Sequence, residues 1–266
     1  MNRKTALFSA LFAFLLVACT GDPAQEDPSN PEHINPGSET QDPDPDPDPD
    51  PDHDPQDSCI VDLGLSIKWA SCNLGASKPQ EYGDYYAWAE IEPYYSSLDP
   101  LTWKEKKPDG YAWTSYSWAG ETSPLMKKYC PSNTTIYWGK EGEPDNKGII
   151  DPEDDAATVK LGSAWRIPTE DEWKELMDKC KWTWTALEGV DGFVIAAENG
   201  NSIFLPAAGT FNACERFDAG SLCGYWSSTL NKSLPDTAII LNMHQGYGFT
   251  ASSLRYNGYP IRPVID

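Results

Sequence analysis

The chain has 266 residues, a net charge of −21 and 23 prolines, and 12% of its residues are aromatic. So acidic a molecule repels nucleic acid and anionic lipid, which excludes both as electrostatic partners. The charge is shared evenly: residues 1–58 carry two basic and thirteen acidic side chains, net −11, and residues 59–266 carry the other −10.

Arg3 and Lys4 precede an unbroken run of apolar or small residues from Ala6 to Ala18. The run is too short for a spanning helix, which takes roughly 20 apolar residues, and reads as an export signal over residues 1–18. Leu16-Val17-Ala18-Cys19 at its end resembles a bacterial lipobox, so Cys19 is expected to carry the lipid (palmitate) as the mature N-terminus. An ordinary signal peptide with a chance cysteine is the alternative. Thr20, rather than the Asp of an inner-membrane retention signal, follows, and Gln25-Glu26-Asp27 resembles the surface-export signal of Bacteroidota lipoproteins. The expected location is therefore the outer membrane, lipid-anchored and facing the surface, with the membrane as a partner through that anchor. Residues 19–58 offer almost nothing apolar, and Asp42 to Pro55 is nearly all Asp-Pro repeats. Such a segment cannot offset chain entropy by burial and is expected to be a disordered, extended acidic stalk of about 3.1 Å per residue. A proline at every second place keeps its carboxylates from wrapping one calcium ion.

Six cysteines remain beyond Cys19: Cys59, Cys72, Cys130, Cys180, Cys214 and Cys223. No CxxC occurs and His33, His53 and His244 are isolated, so the spacing is not that of a metal site. In an exported domain one or two disulfides are expected, with Cys214–Cys223 closing a local loop; lone buried thiols are the alternative.

From Cys59 onward, Ile60–Ala70 alternates and predicts a strand, followed by a turn at Cys72–Ala76. Tyr85–Glu90 predicts a second strand. Residues 91–150, rich in aromatics, Pro, Gly and charge, read as a long insertion with short strands near Tyr111–Tyr116 and Thr135–Trp138. Pro152 starts a helix expected to run to Leu161. The clearest signal is Trp165 to Leu176: Thr169 and Glu172 form a capping box, Glu170 to Glu172 put negative charge on the positive helix end, and Trp173, Leu176, Met177 and Cys180 make one apolar stripe. A helix over Glu170–Cys180 follows. Strands are predicted at Trp182–Thr185, Gly192–Ala197, Ser202–Pro206 after an Asn199-Gly200 hairpin turn, Gly224–Thr229, Thr237–Met243, Gly248–Ser252 and Ile261–Ile265. The balance is α+β.

Seven blocks occur in order: VDLGLSIKWA from Val61, EYGDYYAW from Glu81, EDDAA from Glu153, WRIPT from Trp165, FLPAAG from Phe204, GYWSST from Gly224 and IRPV from Ile261. The series resembles the Fibrobacter succinogenes major paralogous domain of Bacteroidota lipoproteins, over essentially all of 59–266. The resemblance implies a C-type-lectin-like fold: short, mostly antiparallel strands, two helices and a long aromatic insertion. The Arg-x-Pro-Thr-x-x-Glu-Trp block also resembles a helix of the formylglycine-generating-enzyme branch of that superfamily. Fold analogy carries no activity.

Three kinds of site come into question. Glu143-Pro144-Asp145-Asn146 resembles a lectin calcium motif, which makes Glu143 and Asp145 weak Ca2+ candidates. It lies before the Arg-Ile-Pro-Thr helix, however, and no Trp-Asn-Asp follows. Asp151, Glu153, Asp154 and Asp155 read instead as charge at a helix start. For stacking on sugar, Tyr94, Tyr95, Trp103, Trp113 and Trp118 of the insertion are the candidate ligand-binding rings, while Tyr86 and Trp88 read as core. For catalysis no residue is marked: the late cysteines and Gly-Asn-Val-Trp-Glu-Trp-like block of the sulfatase-activating relatives are missing, and His244 reads as a strand side chain. Arg166, Arg255 and Arg262 read as structural. The expectation is a non-catalytic surface lipoprotein binding an extracellular glycan or protein, with no cofactor. A structural or accessory subunit of a surface assembly is the alternative, and an enzyme of the formylglycine-generating branch the less favoured third.

Overall fold

The structure, a computed structural model, describes residues 59–95, 107–132 and 144–266. The export signal with Cys19, the stalk, Trp103, the strand expected at Thr135–Trp138 and Glu143 lie outside the described residues.

The first predicted strand is two. β1 (Ile60–Val61) and β2 (Lys68–Ala70) pair antiparallel with each other. Asp62 turns the run back on itself: its Oδ1 accepts the Gly64 N–H at 2.7 Å, and Gly64 takes φ 69°, where an L side chain is strained. β3 is only Tyr85–Tyr86, because the chain turns at Trp88–Ala89 with Ala89 at φ 59°. The strand expected at Tyr111–Tyr116 is a 3-10 turn over Trp113–Ser115, closed by local bonds such as Ser115 N–H to Ala112 O; Tyr111 alone bridges to Ala213. The helix expected from Pro152 is interrupted as well. Pro152–Asp154 form a 3-10 turn, Asp155 stays extended, and α1 (Ala156–Leu161) starts behind it with Asp155 accepting the N–H groups of Ala157 and Thr158. Capping by Asp155 takes precedence over helix continuity.

After β4 (Trp165–Arg166) comes α2 (Glu170–Lys179), whose Thr169–Glu172 capping box is complete in both directions. β5 (Lys181–Leu187), β6 (Val190–Ala196) and β7 (Ser202–Pro206) form a meander, its second turn at Asn199-Gly200. β8 (Thr210–Asn212) and β9 (Glu215–Phe217) form a hairpin that the sequence did not announce, turning on Ala213 at φ 48°. β10 (Leu222–Leu230), β11 (Thr237–His244) and β12 (Tyr247–Leu254) make an antiparallel sheet in that order. β13 (Tyr259–Pro260) pairs with β3, and β14 (Val264–Ile265) lies between β2 and β4. The fold is α+β and rich in short antiparallel strands.

Strand alternation distributes side chains between cores. On β10, Cys223 and Tyr225 enter one core with Trp69, Trp173, Leu176, Leu241 and Met243, and Trp226 enters another with Trp88, Ile240 and Tyr259. α2 therefore packs on the β10–β12 sheet, and Val264 of β14 shares that core. Within this layer Trp69 and Trp173 touch at 4.8 Å between ring centroids. A third core gathers Tyr85, Tyr94, Tyr111, Tyr116 and Phe211.

The expected Cys214–Cys223 disulfide is not formed. Cys223 is buried on β10, its Sγ 3.4 Å from Leu205 O, whereas Cys214 is exposed in the β8–β9 turn with its Sγ 3.5 Å from Pro108 O. Their thiols serve different layers. Burial pushes the Cys223 thiol far above its ordinary range and that of Cys130 up to about 11, so both are inert toward exchange.

Candidate functional site

Of the insertion rings named from the sequence, Trp103 lies outside the described residues, and Tyr94, Tyr95, Trp113 and Trp118 are buried or half-buried in packing contacts. Tyr94 is only 2% exposed; it stacks on Tyr111 at 4.7 Å and donates to Ser115 O. Tyr95 is half-buried against Phe211 and Tyr85, and its N–H reaches the Tyr111 hydroxyl. Trp118 donates from Nε1 to Ala89 O at 2.8 Å and packs edge-on to Tyr129. Trp113 is half-exposed and meets Tyr256 edge-on. For two of these rings the physical reason is economy of polar groups: the Tyr94 O–H and the Trp118 N–H each cap a loop carbonyl.

Asp145, the described half of the calcium candidate, spends its carboxylate on the N–H groups of Tyr129, Cys130 and Lys147. The acidic run after it encloses a cation of the chain itself. Lys128 Nζ lies 3.0 Å from Asp151, 3.7 Å from Glu153 and 2.5 Å from Asp154, above the rings of Trp118 and Tyr129. Among the described residues no group of three or more His, Cys, Asp or Glu has the geometry to hold a metal.

A groove of about 360 Å³ opens between α1, β4 and β10, walled by Ile149, Pro152, Trp165 and Ile167. Its two charged side chains, Asp155 and Arg166, are committed. Asp155 accepts three backbone N–H groups, and Arg166 forks onto Glu172 at 2.8 and 2.6 Å while also reaching Asp266.

The surface that stands apart is at the β11–β12 turn. His244 and Tyr247 are a cross-strand pair flanking Gln245-Gly246, and Phe249 lies two residues along β12 on the same face. The His244 and Tyr247 rings are 4.9 Å apart at 23°, and the Tyr247 and Phe249 rings 6.4 Å apart at 18°. Three nearly parallel rings thus form a row. Tyr247 is 59% exposed and Phe249 49%. Opposite Phe249, Asn242 has its Oδ1 enclosed and without a hydrogen-bond partner among the described residues.

The sheet explains why this row is bare. Ile240 and Ala251, further along the same face, pack against the Trp226 core, and Gly224, opposite Asn242, has the Tyr259 ring against it, whereas Tyr247 and Phe249 at the outer strand are exposed. Tyr247 and Phe249 are therefore the exposed end of this face, with His244 half-buried beside them. Isolated exposed apolar side chains are normal; a contiguous row of parallel rings is the mark of a binding surface. The sequence reading missed it by following aromatic density. The available signal was the period-two placement of Tyr247 and Phe249 just after a Gln-Gly turn.

Comparison of the chain with protein-family models, curated proteins and solved structures finds no match.

Proposed function

We propose that the chain is a lipid-anchored outer-membrane protein whose domain from residue 59 onward binds an extracellular glycan without catalysis, through the His244–Tyr247–Phe249 row. The observation that carries this reading is the exposure of the Tyr247 and Phe249 rings, near-parallel to each other and to the half-buried His244 ring. Flat aromatic faces stack on the apolar C–H faces of sugar rings, and a row spaced at 4.9 and 6.4 Å suits an extended ligand more than a single compact one. The acidity of the chain favours a neutral glycan over an anionic one. The C-type-lectin-like assignment of the domain rests on the seven ordered sequence blocks and accords with a strand-rich α+β architecture. The lipid anchor rests on the Leu16–Cys19 lipobox and the location on the residues that follow it.

The experiment is retention of the full chain, in detergent, on an array of neutral polysaccharides. Tyr247→Ala and Phe249→Ala should each weaken retention about tenfold or more, the equivalent of one lost stacking contact. Their folding free energy should move by no more than about 0.5 kcal/mol, because both rings are exposed. Unchanged retention in both variants refutes the row as the site, and absence of any retained polysaccharide refutes the glycan reading.

A further inference from the structure

We infer that β12 is a self-association edge, across which two copies of this chain pair antiparallel about a two-fold axis at Thr250. β12 ends its sheet, and every second residue of a paired strand turns its N–H and C=O away from its neighbour. Among the described residues, no backbone group bonds to the outer side of Tyr247–Ser253. Soluble proteins blunt such edges with lysine, proline, bulges or a covering loop. β12 uses none of these devices. Its sequence, YGFTASSL, has no charge and no proline, and its eight pairs with β11 run without a bulge. In a chain of net charge −21, eight uncharged residues on an open edge form a stretch where a second acidic copy meets little repulsion.

The strand is also self-complementary in shape. A two-fold at Thr250 places Phe249 opposite Ala251 and Tyr247 opposite Ser253 on one face, and Gly248 opposite Ser252 on the other. Every large side chain meets a small one, and the two threonines face each other, a favourable cross-strand pair. A charge that touches this strand, Glu170 of α2, accepts from Thr250 Oγ1 at 3.0 Å and has its own counter-ion in Lys174, also at 3.0 Å. Pairing joins two three-stranded sheets into one of six strands and brings the two Phe249 side chains to diagonal positions, about 7–8 Å apart. The inference stands on the edge of β12 and does not depend on what the rings bind.

Sedimentation equilibrium of the full chain in detergent should show a monomer–dimer equilibrium. Ser252→Lys, at an exposed position, should shift it to monomer at least tenfold in dissociation constant while leaving the unfolding midpoint in place. Thr250→Cys should form a disulfide-linked dimer under mild oxidation, since directly opposed residues lie about 4.5–5.5 Å apart between Cα atoms, within disulfide reach. Ser252→Cys, which faces Gly248 of the other copy, should not exceed the background set by the unsubstituted chain with its exposed Cys214. Three results would each overturn the inference: a monomer at every accessible concentration, a dimer indifferent to Ser252→Lys, or cross-linking by the Ser252→Cys variant in place of the Thr250→Cys variant. Glycan retention by a monomeric Ser252→Lys protein separates this result from the function of the rings.

Discussion

Arg255 and Arg262 are fully buried, and neither is satisfied by a carboxylate. Arg262 donates to Asn73 Oδ1 at 2.9 Å, Ala70 O at 3.0 Å and Phe204 O at 2.7 Å, so one fork ties the β2 end, the following loop and β7. Burial holds its pKa below the ordinary arginine value. A guanidinium suits this place because its donors diverge in a fixed plane; a lysine offers a point charge and cannot reach three divergent acceptors. Arg262→Ala orphans all three acceptors, and each buried acceptor left bare costs about 1 kcal/mol or more. The expected loss is about 3 kcal/mol or more in urea unfolding, with Arg262→Lys also clearly destabilised. Loss of less than about 1 kcal/mol would show that water replaces the guanidinium.

Among the elements, α2 was the most legible, because its information is local: the cap, the first-turn charges and the stripe lie within one short stretch. What holds α2 to the rest of the fold was not legible. Glu175, off the apolar stripe, accepts from Ser66 in the β1–β2 loop and from Lys179 one turn on, at 2.8 Å. The Lys179 bond first, and then Ser66, hold the Glu175 carboxyl below its ordinary range. A carboxyl depressed in the folded state stabilises the fold above its unfolded pKa, and that contribution is lost as pH falls through the folded value. Glu175→Gln should therefore cost about 1 kcal/mol at neutral pH, and the gap from the unsubstituted chain should narrow as pH falls below the ordinary glutamate value of about 4.3 and close below the lowered folded value. A gap that persists in acid would assign the loss to packing rather than charge. The insertion failed for a related reason. Tyr94 and Trp118 look like ligand-facing rings in sequence because nothing local reveals that Ser115 O and Ala89 O await their polar ends. The exposed rings Tyr247 and Phe249 were hidden likewise, since which part of the β10–β12 face is covered is decided by residues that meet only in the folded sheet, such as Gly224 and Tyr259.

Across the domain from residue 59 onward, the three cores share strands rather than meeting at a boundary. Tyr85 enters the insertion core and its neighbour Tyr86 the Trp226 core; Trp69 and Ala70 divide likewise, as do Tyr225 and Trp226. Arg255 adds a second link. It lies over the rings of Trp88, Tyr116 and Tyr129 at 4.8, 5.4 and 5.7 Å, and binds Tyr116 Oη, Lys128 O and Pro235 O. One side chain therefore joins the insertion at 116–129 to the turn before β11. A molecule divided into independent layers would lose them one at a time, but here no core can dissolve without pulling alternate residues out of another. Urea unfolding followed by tryptophan fluorescence and by far-ultraviolet circular dichroism should give coincident single transitions. Arg255→Ala should shift both together by about 3 kcal/mol, through orphaned carbonyls and an unfilled aromatic cage. If the fluorescence transition moved alone, the insertion would be an independently melting layer. The shared strands Tyr85–Tyr86 and Leu222–Leu230 would then not be what couples the cores.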